Sequence, residues 1–67
     1  MGNLIEEIQG ECNRLREKVL PEYDKIPEGV FAASMMRQSI KSAEQAIAEG
    51  DVVKCVRALE DLKGYSL

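Results

Sequence analysis

The chain has no histidine and no tryptophan, and Phe31 is its single phenylalanine. Without histidine it lacks both the usual general base at neutral pH and the commonest metal ligand. Its two cysteines, Cys12 and Cys55, stand far apart. A structural zinc takes about four nitrogen or sulfur ligands, more than one copy can supply. A chain without metal or cofactor is therefore expected. No apolar run approaches the roughly 20 residues that cross a bilayer. The opening MGNLIEEIQG has neither the basic start nor the apolar stretch of a secretory signal. The cytoplasm is the expected location, where a disulfide would not persist. Both cysteines fall in apolar registers and read as small core residues rather than reactive thiols. Basic excess is missing as well: nine Lys and Arg face twelve Asp and Glu, for a net charge of −3. Counterion release by clustered cations drives nucleic-acid binding, so neither nucleic acid nor membrane is an expected partner.

What remains is a short chain, 45% hydrophobic over 67 residues. Residues 1–67 make one domain, near the lower size limit for folding alone. Chains this small add a disulfide, a metal or a second subunit. With the first two excluded, a homo-oligomer is expected.

The apolar pattern is helical throughout, giving an all-α fold of three amphipathic helices. Asn3 is a good N-cap, with Glu6 three residues on. Ile5, Ile8, Cys12, Leu15 and Val19 then recur at alternating spacings of three and four. The same rhythm reaches Tyr23 and Ile26, which predicts a helix over about 4–26 kinked at Pro21 rather than broken there. Gly10 lies off the stripe and hints at a close neighbour. Pro27 disfavours helix at Ile26. The second helix is expected over about 28–49, with a stripe of Ala33, Met36, Ile40, Ala43 and Ile47 widened by Phe31, Ala32, Met35 and Ala46. Gly50 suits a left-handed stop and Asp51 a new N-cap. So short a joint forces an antiparallel helical hairpin. The third helix, about 52–63, presents Val52, Cys55 or Val56, Leu59 and Leu62. Gly64 ends it, leaving Tyr65-Ser66-Leu67 to dock or fray.

Little here points to catalysis. Glu6-Glu7, Glu22-Asp24 and Glu60-Asp61 read as solvated helix faces, and an enzyme is not expected. Two features are candidates for binding. Arg14 and Lys18, and Arg37 and Lys41, are same-face basic pairs at helical spacing. They read either as solubilising charges or as an anion site for a phosphate or carboxylate. Phe31, Met35 and Met36 put more apolar surface on the second helix than one buried stripe can use, which suggests an interface between subunits.

Ala43 to Asp51 followed by Val56-Arg57-Ala58-Leu59 resembles one helical hairpin of a tetratricopeptide-type repeat. Such arrays need about three copies and this chain has one, so that family does not fit. The segment Gly29-Val30-Phe31-Ala32-Ala33-Ser34-Met35-Met36-Arg37, with Ile40, Ala43-Glu44, Ala46 and Gly50-Asp51-Val52-Val53, is similar to small proteins encoded by tailed phages and prophages. The resemblance implies a bacterial cytoplasm and a phage-accessory role, and it carries over no site residues. In that setting the expected function is inhibition of a host defence factor, by blocking a host protein or by sequestering a small anionic signal molecule. The alternative is a structural or regulatory subunit of a larger helical assembly.

Overall fold

The computed structural model describes residues 3–66, and these are helical with short joints and no strand. The first rod begins with α1, Leu4–Arg14. Asn3 caps it from an extended conformation, its Oδ1 accepting the Glu6 N–H at 2.8 Å. The rod continues through a π turn, Leu15–Val19, into α2, Leu20–Asp24. Helix therefore continues through Pro21 rather than breaking there, and the π turn is the device that permits it. In a regular α-helix the proline ring would strike the carbonyl four residues back. Here the preceding turn is widened, and the Leu20 N–H donates to the Leu15 carbonyl five residues behind. The rod ends at Asp24, two residues earlier than the apolar rhythm suggested. Ile26 is extended (φ −117°, ψ 135°), as a residue before proline prefers.

A 3₁₀ turn, Pro27–Gly29, leads into α3, Val30–Glu49. Gly50 closes α3 at φ 68°, with its N–H donating to Ile47 and the Asp51 N–H donating to Ala46. That pair of bonds is the Schellman arrangement expected of a left-handed glycine stop. Asp51 then caps α4, Val52–Lys63, its Oδ1 accepting the Lys54 N–H at 3.1 Å. A Cβ at Gly50 would meet nothing within 4 Å, so only backbone strain resists a side chain there. Gly50→Ala should therefore lower stability by about 1 kcal/mol, read as a urea midpoint shift without a change in slope. An unchanged midpoint would show that the left-handed stop is dispensable.

α3 and α4 form the antiparallel hairpin, α1 packs mainly on α4, and α2 lies on α3. One core joins them: Ile8, Cys12, Leu15, Val19 and Leu20 from the rod, Ala33, Met36, Ile40, Ala43 and Ala46 from α3, and Cys55, Leu59 and Leu62 from α4. Both cysteines are free and buried. Burial raises the Cys12 thiol above its ordinary range, so it stays protonated. Cys55, not Val56, is the inward position of the first α4 turn, and Ile5 and Ile26 at the ends of the predicted stripe are exposed. Gly10 has no close neighbour: a Cβ there would point into open space.

The tail docks through Ser66, while Leu67 lies outside the described residues. Tyr65 Oη and Ser39 Oγ are 3.0 Å apart, and Tyr23 Oη donates to the Ser66 carbonyl at 3.0 Å.

Candidate functional site

The body measures 36 × 21 × 16 Å, and its two useful surfaces follow from how unequal helices pack. α3 has 20 residues and α4 has 12. At about 1.5 Å per residue, α3 outreaches its hairpin partner by roughly 12 Å. Met35, Ser39, Ser42 and Ala46 follow one another at helical spacing along the flank of α3 that meets α4. Ser42 and Ala46 share hollows with Lys54, Arg57, Ala58 and Asp61 of α4, and Ser39 meets Tyr65 of the tail. Beyond Ser39 the cover stops. Met35 is 47% exposed, and Phe31, one turn further out, is 75% exposed. Val30 and Ile26, at the entry to α3, are exposed as well. Met36, grouped with these residues on sequence grounds, is only 1% exposed and belongs to the core. Its spacing from Ala33 and Ile40 puts it on the buried stripe, one residue round from Met35. The interface candidates on that flank are thus Phe31 and Met35.

On the opposite flank of α3 a furrow runs along the seam with the first rod. It consists of three hollows that share lining residues. At the hairpin end, Leu4, Ile5, Ile47, Val52 and Cys55 make an apolar hollow of about 460 Å³. Ile47 links it to a hollow of about 440 Å³ containing Gln9, Asn13, Arg16 and Glu44. Arg16 and Glu44 in turn border the third, about 410 Å³, with Leu20, Ile40, Arg37 and Lys41. The Arg16 Nη2 donates to Glu44 Oε2 at 2.8 Å, bridging the two walls. Arg37 pairs with Asp24 at 2.7 Å. Among the described residues no ion pair involves Lys41.

The four basic residues singled out from spacing do not converge. Arg14 is turned to the other side of α1, where its Nη2 donates to the Leu62 carbonyl at 3.2 Å and the Tyr65 carbonyl at 2.9 Å. It also pairs with Glu11. Its role is to satisfy the carbonyls at the end of α4, which also carry the negative end of that helix dipole. Lys18 is exposed and borders none of the three hollows. Arg37 and Lys41 do share a hollow, and the cation that joins them is Arg16, which sequence spacing did not single out. Its register offered a clue, since Ile5, Gln9, Asn13 and Arg16 follow helical spacing along one flank of the rod.

Every polar side-chain atom buried among the described residues has a hydrogen-bond partner. The described residues contain no group of three His, Cys, Asp or Glu side chains arranged to hold a metal, and no helix long and apolar enough to cross a membrane. Compared with protein-family models, with curated proteins and with solved structures, the chain matches none.

Proposed function

We propose that this chain acts by binding: it associates with itself through the overhang of α3, and the assembly blocks a surface of another protein. The observation that carries this reading is the exposure of Phe31 and Met35 on the flank that α4 covers elsewhere. Large apolar side chains grouped this way are the usual mark of a contact surface. A second copy suits the gap, because an overhanging α3 from a two-fold-related chain can lie where α4 is too short. Such a contact meets itself, so its charges must be self-compatible. The exposed pair next to Ile26 in the chain meets that condition, Lys25 being matched by Glu22 at 2.6 Å. The phage-accessory setting implied by the sequence resemblance makes inhibition of a host defence factor in the bacterial cytoplasm the role we propose for the assembled surface.

Sedimentation velocity at micromolar concentration tests the proposal directly. The parent chain is expected to sediment as a dimer or a higher symmetric assembly. Phe31→Glu with Met35→Glu should convert it to a folded monomer with unchanged far-UV circular dichroism, since both positions are already exposed within one chain. A parent that remains a stable monomer throughout would overturn self-association.

A further inference from the structure

We infer that the basic end of the furrow is a binding site for a small phosphate ester, with the phosphate held between Arg16, Arg37 and Lys41. Three cations from two separate elements border this hollow, where Glu44 matches Arg16, Asp24 matches Arg37 and no carboxylate pairs with Lys41 among the described residues. That concentration stands out on a chain whose net charge is −3. The two guanidinium groups are already held in place by carboxylates, Arg16 by Glu44 and Arg37 by Asp24. Both bridges are exposed, so exchanging a carboxylate for a phosphate on the same fork loses little. The planar guanidinium offers two parallel donors to a phosphate, and two of them flanking a lysine form a typical anion grip. Lys41, with no ion pair of its own among the described residues, supplies the uncompensated charge.

The size of the site argues for more than a free anion. The basic hollow of about 410 Å³ opens past Arg16 into the adjoining one of about 440 Å³. Each falls within the range of about 300–1,000 Å³ seen for small-molecule sites. Leu20 and Ile40 border the basic hollow, and Gln9 and Asn13 lie beyond it with amides able both to donate and to accept. A phosphate monoester with a polar, hydrogen-bonding body matches that order of groups. The site lies on the flank of α3 away from the overhang, so it stands or falls independently of self-association.

Nuclear magnetic resonance titration of the ¹⁵N-labelled chain tests the inference, using inorganic phosphate and then adenosine monophosphate, with chloride of equal ionic strength as control. Saturable shifts confined to Arg16, Arg37, Lys41 and their neighbours are expected for phosphate. The nucleotide should bind more tightly and extend the shifts to Gln9 and Asn13. Arg16→Gln and Lys41→Gln should each weaken binding about tenfold. Glu44→Gln should strengthen it by removing the opposing carboxylate. Lys18→Gln removes the same charge outside the furrow and should leave affinity within about twofold. Shifts no different from the chloride control, or equal losses from Lys18→Gln and Lys41→Gln, would overturn the site. Equal affinity for phosphate and nucleotide would overturn the assignment of the amide stretch.

Discussion

Gly29→Ala is expected to destabilise the fold by about 3 kcal/mol, lowering the melting temperature by more than about 12 °C. The reason is steric. Gly29 sits at φ −82°, ψ −7°, a conformation open to any residue. Its Cα, however, lies against the end of the first rod. A Cβ would overlap the Tyr23 carbonyl oxygen, and would stand 2.9 Å from the Tyr23 carbonyl carbon and 3.0 Å from Ile26 Cγ1. The obstacle is backbone that is itself bonded, since Tyr23 O accepts the Ile26 N–H and Ile26 O accepts the Gly29 N–H. Moving it would disturb both the end of α2 and the start of α3. Gly10→Ala is the contrasting variant. It adds a methyl group in open space within a helix and should raise stability by up to about 1 kcal/mol. Thermal denaturation followed by circular dichroism compares the two. Equal melting temperatures for both variants would show that the Tyr23–Gly29 approach is not needed.

Arg14→Gln should lower stability by about 2 kcal/mol, although its removal touches no core side chain. The Tyr65 carbonyl would lose its charged donor, and the Leu62 carbonyl would keep only the Tyr65 N–H at 3.3 Å. Arg14→Lys should recover little, because one ammonium group cannot reproduce a fork that reaches two carbonyls and Glu11 together. Lys18→Gln, a matched loss of charge on the exposed surface, should change stability by less than about 0.5 kcal/mol. Urea denaturation of the three variants separates these outcomes. If Arg14→Gln and Lys18→Gln proved equally mild, the contact with the end of α4 would carry no weight. Tyrosine fluorescence adds a second readout, since Tyr65 and Tyr23 hold the tail and the chain has no tryptophan to mask them.

Helix positions were legible because their signals are local. Asn3, Pro27, Gly50 and Asp51 act on backbone groups within a few residues of themselves, and each stands where that chemistry placed it. The α3 stripe through Ala33, Met36, Ile40 and Ala43 was equally plain, because buried positions recur along one face. Side chains that act between elements were not. Arg14 and Lys18 share a helical spacing, which shows only that they neighbour each other on one element. Whether a cation meets a helix end, a carboxylate or open water depends on which element lies alongside. Arg16 was passed over for the same reason: its significance comes from Glu44 and Lys41 across the seam. Met36 was grouped with Met35 as surplus apolar surface, although its spacing from Ala33 and Ile40 already put it on the buried stripe. At Gly29 the requirement is space beside the Tyr23 carbonyl, which no local signal reveals.

Leu20 was missed because regular counting places it about 100° round the helix from Val19, yet both are buried. The π turn before Pro21 is the cause, and it acts as a shift of phase. A five-residue return takes in one residue more than an α turn, so every later position is reassigned in azimuth. Upstream of it the rod addresses α4, and downstream it addresses α3. A single continuous helix thereby serves two docking directions without a loop. Removing one residue from Leu15–Val19 would amount to a frameshift of surface rather than of codons. It would leave every downstream side chain unchanged in identity and turn Leu20 and Tyr23 away from their present neighbours.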